Sequence, residues 1–163
     1  MQDDSIWFSL INIEAYVEKT KIFNGLNLDL RTGENTIILG PNGSGKTSLL
    51  KLLERSIYPL TKRNSKIIAF GSETINLWDL RSKVGFMNTE IDQRINNLTK
   101  VVDVISSGYF GDYQRSRDQK LNFIKTQRLY YLLEEMDLLS ISNDHYGSLS
   151  EGQRRRVLIA RAL

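Results

Sequence analysis

The chain has 163 residues, of which 40% are hydrophobic and 25% are charged, and its formal net charge is +3. This length suits one sizeable core, and the composition excludes a disordered chain, a collagen-like repeat and a coiled coil. Cysteine is absent from the sequence, which excludes disulfide frameworks, thiolate metal sites and cysteine nucleophiles and favours a cytosolic location. The start is acidic, and no apolar run approaches the roughly 18 to 20 residues of a membrane-spanning helix. We therefore expect any membrane link to come from a partner.

Three segments in the first quarter of the chain carry the patterns of β-strands. Residues 6–13 are rich in aromatic and β-branched side chains, and residues 26–30 alternate leucine with polar residues, as in a half-buried strand. Residues 36–39 form a short apolar run, which is typical of a strand buried on both faces of a sheet. They run directly into glycine, and helical spacing of leucines then begins at Thr47 and stops near Pro59. The sequence predicts a strand, a glycine loop and a helix in that order.

The rest of the chain changes from strand patterns to helical ones. Residues 65–70 and 83–87 are predicted as two further strands. Between residues 99 and 139, apolar side chains recur at spacings of three and four, which indicates a helical subdomain. An aromatic loop at residues 108–113 interrupts this segment, and its pattern fits either a contact surface or ordinary packing around a turn.

One eight-residue segment matches the pattern G-x-x-x-x-G-K-[ST] at every fixed position: Gly40-Pro41-Asn42-Gly43-Ser44-Gly45-Lys46-Thr47. Its glycines let the backbone turn tightly and point N–H groups inward, and the following helix adds the partial positive charge of its N-terminus. Lys46 is expected to reach the β- and γ-phosphates of a nucleotide, and the Thr47 hydroxyl to bind the magnesium ion between them. The segment therefore predicts a polyphosphate site, although several classes of enzyme share it.

A second motif stands about a hundred residues later, at Leu149-Ser150-Glu151-Gly152-Gln153. Ser150 with Gln153 three residues on is a capping box, which predicts that a helix starts at Ser150 and leaves free N–H groups near Gly152. Alone, such a segment is an ordinary capped surface helix. At this distance from the phosphate loop it resembles the signature motif of ATP-binding cassette (ABC) ATPases, and residues 154–163 resemble the helix that follows it.

The resemblance implies an α/β fold of the ABC type of P-loop NTPase, with an antiparallel N-terminal β-subdomain and a helical insertion. The expected parts are an ATP-binding core (1–88), a helical subdomain (89–149) and a signature helix (150–163). In this family two domains face each other head to tail, and each ATP lies between one phosphate loop and the partner's signature.

The same resemblance implies roles for four further residues. Ser150, Gly152 and Gln153 are expected to close on the γ-phosphate of an ATP that a second ABC domain holds. Tyr16 is placed like the aromatic residue that stacks on adenine in this family, with simple packing as the alternative.

The implied function is that of the energy-coupling subunit of an ABC transporter. Such a subunit binds ATP and Mg²⁺, dimerises when ATP binds, and lies at the cytoplasmic face of the membrane through a permease partner. No nucleic-acid partner is expected, because the basic run at residues 154–156 is more typical of a solvated helix face.

Two departures from the family pattern affect the expected chemistry. The glutamine that senses magnesium and the γ-phosphate falls at Thr89, after Asn88 in place of a frequent proline, and Gln93 lies four residues too late. In the family, the helix that resembles residues 157–163 leads to the Walker B aspartate, the catalytic glutamate and the switch histidine, which this sequence lacks. His145 precedes the signature and is not that histidine. We therefore expect a C-terminally truncated domain with no assigned catalytic residue, which binds ATP with negligible hydrolysis.

Three other interpretations are compatible with the sequence. The chain could be a soluble ABC protein that acts as a regulatory nucleotide-binding module without a membrane partner. It could be an inert remnant whose apolar residues 37–39 and 157–163 are partly uncovered. It could also be an unrelated P-loop kinase, in which Ser150 and Gly152 have no role in dimerisation.

Overall fold

The computed structural model describes residues 5–74, 76–113 and 120–163. The chain divides into two compact units, Met1–Asn76 and Leu77–Leu163. The elements of the first unit are strands β1 (Ile6–Val17), β2 (Thr20–Arg31) and β3 (Lys66–Ala69) and helix α1 (Lys46–Leu53). The second unit contains helices α2 (Leu77–Lys83), α3 (Thr89–Arg94), α4 (Val101–Ser107), α5 (Phe123–Glu135) and α6 (Glu151–Ala162), with 3₁₀ turns at Gly108–Phe110, Leu139–Ile141 and Tyr146–Ser148.

The three strands of the first unit form one antiparallel sheet in the order β2-β1-β3. The strands predicted at 6–13, 26–30 and 65–70 are thereby confirmed, and the first two are longer than expected. The buried positions of β1 change phase along the strand, from Phe8 and Leu10 to Ile13 and Ala15. The change falls at Asn12, whose φ is 49°, where the pairing of β1 with β2 shifts register. A bulge of this kind lets one strand bury even-numbered residues and then odd-numbered ones.

The strand predicted at residues 36–39 is wrong. No described strand includes these residues, and the side chains of Ile37 and Leu39 are 80% and 86% exposed. A strand that is apolar on both faces needs neighbouring strands to pair with and helices to cover it. The described sheet provides no such place, because its three strands are all antiparallel and taken up by other segments. The uncovered apolar surface anticipated for residues 37–39 is therefore present.

The strand predicted at residues 83–87 is also wrong. Helix α2 extends to Lys83, and the N–H of Val84 donates to the carbonyl of Leu80 at 2.9 Å, which continues the last helical turn. Leu80 is fully buried, so packing of this side chain favours the helix over an extended backbone.

The second unit is built around a core supplied by its helices. The helical prediction for residues 99–139 is confirmed in the described part, at α4 and α5, and residues 114–119 of that segment lie outside the described residues. No helix in the described ranges is both long and apolar enough to cross a membrane. Helix α6 buries Val157, Leu158 and Ala160 in this core, so the predicted exposure of residues 157–163 holds only for part of that segment. The other buried members come mainly from α4 (Val101, Val104, Ile105) and α5 (Leu129, Leu132, Leu133).

Candidate nucleotide site and signature helix

The glycine loop leads directly into helix α1, which begins at Lys46. Gly43 and Gly45 have φ angles of 82° and 90°, in the left-handed region that residues with a side chain avoid. Gly45 also lies against strand β2, because a Cβ atom placed on it would be 3.0 Å from Cγ2 of Ile22 and 3.1 Å from Cε1 of Phe23. Gly43 and Gly45 therefore permit the turn of the loop, and Gly45 also permits its close packing on the sheet.

The backbone of the loop presents N–H groups that the protein itself leaves free. The N–H of Ser44 donates to the carbonyl of Pro41 at 3.3 Å. Within the described ranges, the N–H groups of residues 42, 43 and 45–47 donate to no backbone carbonyl. They gather at the N-terminus of α1, where the helix dipole adds partial positive charge. Such a set of donors fits the anionic oxygens of a nucleotide triphosphate.

Lys46 and Thr47 add the two side chains expected at such a site. The Nζ of Lys46 donates to the carbonyls of Gly40 and Pro41 at 2.8 and 2.6 Å, so the ammonium group lies beside the start of the loop. Thr47 is exposed in the first turn of α1, and its hydroxyl is an oxygen ligand of the kind that Mg²⁺ prefers. The sequence motif and its local geometry therefore fit ATP and Mg²⁺, with Lys46 and Thr47 as the residues that would hold them.

Tyr16 lies at the end of β1 next to the hairpin turn, where it pairs with Lys21 of β2. Its side chain is 38% exposed. Lys21 directly precedes Ile22 and Phe23, the two residues that contact Gly45. The hairpin end that carries Tyr16 therefore packs close to the phosphate loop, as an aromatic partner of a nucleotide base requires.

The capping box predicted at the signature is confirmed. The Ser150 hydroxyl accepts from the N–H of Gln153 at 3.3 Å, and the Oε1 of Gln153 accepts from the N–H of Ser150 at 2.8 Å. These bonds fix the start of α6 immediately before Glu151. Gly152 is exposed, and a Cβ atom on it would meet no heavy atom within 4 Å. The first turn of α6 therefore presents an open glycine and helix N-terminal N–H groups to the outside of its unit.

The basic run that follows the signature is held by contacts within the second unit. Arg154 donates to the carbonyl of Gly147 at 3.0 Å and lies 5.5 Å from the ring centre of Tyr146. The Nη2 of Arg155 lies 3.8 Å from the Oε1 of Glu151, and the Nη1 of Arg156 lies 3.1 Å from the Oδ2 of Asp137. Arg155 is exposed, whereas Arg154 and Arg156 are half-buried, so the solvated helix face expected for this run holds fully only for Arg155.

The segment that departs from the family's glutamine pattern forms a helix start. Asn88 caps α3 by accepting from the N–H of Ile91 at 2.8 Å, Thr89 is the first helical residue, and Gln93 is exposed within the helix. A groove of about 520 Å³ runs beside this start and is also lined by Arg154 of the signature helix. The cap that Asn88 provides for α3 explains why an asparagine suits the position before Thr89.

Sequence reasoning missed one link between these two segments. The Tyr146 hydroxyl donates to the carboxylate of Asp92 at 2.7 Å, which ties the turn before the signature to α3. Burial raises the pKa of Tyr146, and the hydrogen bond to Asp92 adds to this, so the hydroxyl remains a donor. The two residues are 54 positions apart, and no sequence pattern signals their pairing.

A family model described as ABC transporter matches residues 23–163 of the chain. The chain is 31% identical over 160 residues to the uncharacterized ABC transporter ATP-binding protein YmeB of Lactococcus lactis, covering 95% of this chain and 59% of that protein. It is 32% identical over 154 residues to the sulfate/thiosulfate import ATP-binding protein CysA of Yersinia pseudotuberculosis, covering 93% of this chain and 40% of that protein. The chain thus spans about half the length of these relatives.

The fold also matches solved structures. The structure of cbiO1 from Clostridium perfringens, described as part of the ABC transporter complex cbiONQ, is similar with a TM-score of 0.72 at 22% identity. The match covers 98% of this chain and 61% of that one. It confirms the α/β fold of an ABC-type P-loop domain, with antiparallel N-terminal strands and a helical part. Since the family model covers most of the chain and includes both the phosphate loop and the signature, the chain belongs to the ABC transporter family of ATP-binding proteins.

Proposed function

We propose that this chain binds MgATP at residues 40–47 as the ATP-binding part of an ABC transporter. The observation that carries the proposal is the set of free N–H groups at the start of α1, with the ammonium group of Lys46 beside them. In this arrangement the backbone donors hold the phosphates, Lys46 neutralises the β- and γ-phosphate oxygens, and Thr47 binds the metal ion. Tyr16 stacks on the base at the hairpin end.

The second motif supports closure of two such domains on ATP. Ser150, Gly152 and Gln153 lie at an exposed helix start whose N–H groups suit an anion. A γ-phosphate bound to the phosphate loop of a second ABC domain provides that anion. ATP binding and dimerisation then form one linked equilibrium, which is how nucleotide energy reaches a membrane partner.

The partner that we propose is a membrane permease, with this chain bound at its cytoplasmic face. The likeness to cbiO1, which is described as part of a transporter complex, supports such a partner. Co-purification of the chain with an integral membrane protein from native membranes is the expected result. Recovery from lysates as a nucleotide-binding protein without any membrane partner would favour the soluble regulatory alternative.

Measurement of MgATP affinity for Lys46→Ala tests the nucleotide site. Loss of the ammonium group should weaken binding roughly ten- to a hundredfold, the range expected for charge-assisted hydrogen bonds. Titration calorimetry with MgATP provides the measurement, and Lys51→Ala is the matched control, because it removes the same charge from the same helix. Equal affinity of the wild type and Lys46→Ala would contradict the site, and so would an equal loss in both variants.

A further inference from the structure

The carboxylate of Glu14 is a buried charge that the phosphate loop does not use. Glu14 lies on β1 and is 5% exposed. Its Oε1 contacts the ammonium group of Lys21, and its Oε2 contacts that of Lys62. These two ammonium groups hold the pKa of Glu14 below its usual value, with the Lys21 contact as the larger cause. Both oxygens of an ionised carboxylate are thus engaged by lysines from different parts of the first unit.

Lys21 links this buried carboxylate to Tyr16. The two residues are paired across the β1–β2 hairpin, and the Nζ of Lys21 is 5.5 Å from the centre of the Tyr16 ring. The contact with Glu14, and after it the contact with Tyr16, raises the pKa of Lys21. A lysine side chain is flexible, so a fixed anion is needed to keep its ammonium group in one place. Glu14 provides that anchor.

The position of this chain of contacts relates it to the nucleotide site. Tyr16 is more than one-third exposed, whereas Glu14 is buried behind it on the same strand. The residues that follow Lys21 are Ile22 and Phe23, which contact Gly45 in the phosphate loop. The contacts of Glu14 and Lys21 therefore lie at the end of the hairpin that carries Tyr16, next to the residues of β2 that pack against Gly45.

We propose that Glu14 is a positioning residue for the nucleotide base, because it fixes Lys21 and Lys21 in turn orients the Tyr16 ring for stacking. The proposal rests on the proposed function, in which Tyr16 stacks on adenine. Stacking requires a ring that presents its face at a constant angle, and its strength is lost when the ring is free to rotate away. The side-chain contacts of Glu14 are with Lys21 and Lys62 and not with residues 40–47, so we expect its influence to be on ligands that carry a base.

Calorimetric titration with two ligands, MgATP and inorganic tripolyphosphate with Mg²⁺, separates a role at the base from a general structural role. Glu14→Gln keeps the shape of the side chain and removes its charge. We expect this variant to weaken MgATP binding about three- to tenfold, a part of what full loss of stacking removes, and to leave tripolyphosphate binding unchanged. Tyr16→Ala should weaken MgATP binding at least as much, and the double variant should be no weaker than Tyr16→Ala alone.

Two more variants keep the test decisive if Glu14→Gln folds poorly. Lys21→Met removes the link itself and should reproduce the selective loss of MgATP affinity. Lys62→Met is the matched control, since Lys62 contacts the other oxygen of Glu14, and we expect its MgATP affinity to stay within about twofold of the wild type. Circular dichroism melting confirms that each variant tested is folded.

Each outcome decides between the proposals. Equal losses for MgATP and tripolyphosphate would overturn the role of Glu14, because they indicate a general change in the unit. Unchanged MgATP affinity in both Glu14→Gln and Lys21→Met, with normal wild-type binding, would also overturn it and leave the proposed function intact. A wild type that binds neither ligand would overturn the proposed function, and this inference with it.

Discussion

Gly45 meets two demands at once, because its φ is 90° and its Cα faces the side chains of Ile22 and Phe23 at close range. The first requires a residue that tolerates a left-handed backbone, and the second requires a residue without a Cβ atom. Gly33 offers a comparison within the same unit, since its φ is 79° but a Cβ atom on it would meet nothing within 4 Å. The two positions therefore separate the effect of backbone strain from that of crowding.

Alanine substitution at these two glycines gives a prediction at the residue scale. Gly33→Ala should lower the free energy of unfolding by about 1 kcal/mol, from the left-handed backbone alone. Gly45→Ala should lower it by about 1–3 kcal/mol more, because Ile22 and Phe23 must also shift. Urea unfolding followed by circular dichroism measures both values. Equal effects of the two substitutions would show that packing against β2 is unimportant for the loop.

The N-terminal half of helix α6 depends for its stability on a side-chain cap, at Ser150. Its first turn carries a glycine, and its N-terminus lies outside the core, while Val157, Leu158 and Ala160 near its middle are buried. The bonds between Ser150 and Gln153 therefore hold the half of the helix that packing does not.

Removal of the cap at Ser150 should lower the stability of the fold. Ser150→Ala should lower the free energy of unfolding by about 1 kcal/mol, the usual effect of losing a side-chain N-cap. Ser148→Ala is the control, because the Ser148 hydroxyl donates to the carbonyl of His145 at 2.7 Å and caps no helix. Denaturant unfolding of both variants provides the measurement. A change in Ser148→Ala as large as that in Ser150→Ala would contradict the capping argument.

Elements whose formation depends on residues a few positions apart were predictable from the sequence. Elements that depend on pairing with distant segments of the chain were not. The helix start at Ser150 follows from residues three positions apart, and the helix after the glycine loop follows from one turn of pattern. The extended backbone expected at 36–39 needed neighbouring strands, which its own residues could not specify. The shift at Asn12 and the pair of Tyr146 with Asp92 likewise arise from pairing across the fold. The helix starts after the glycine loop and at Ser150 were therefore better predicted than the order of strands in the sheet.

At the scale of the whole molecule, the stability of the chain should depend on pH through Glu14. Its pKa is lowered in the folded protein, so its contribution to stability is fully present above the usual value of 4.5 and is lost as the pH falls through the lowered pKa. The melting temperature of the wild type should exceed that of Glu14→Gln at about pH 6. The difference should shrink below pH 4.5, where the protonated carboxyl resembles the amide. A difference that stays constant across this range would exclude the ionised cluster as its cause.

Dimerisation of the chain with ATP should depend on the residue at position 152. Gly152→Asp places a carboxylate where the γ-phosphate of a second domain would approach, so like charges should prevent ATP-driven dimerisation while MgATP binding persists. Gly152→Ala is the matched control, because it adds a methyl group without charge and should weaken dimerisation much less than Gly152→Asp does. Light scattering of the protein with MgATP and with a non-hydrolysable analogue gives the oligomeric state. Unchanged dimerisation in Gly152→Asp would remove the signature from the mechanism and favour an unrelated P-loop enzyme.

The open surroundings of Gly152 carry a consequence for how this helix can be engineered. Its backbone is not in the left-handed region, and no neighbouring atom occupies the space of a side chain. Glycine within a helix is less favourable than alanine by roughly 0.5–1 kcal/mol, so the fold itself gains nothing from it. Selection for thermal stability alone would replace this residue, whereas selection for a surface that fits tightly against another molecule would keep it. At Gly152, the stability of the helix and close contact with another molecule thus favour different residues.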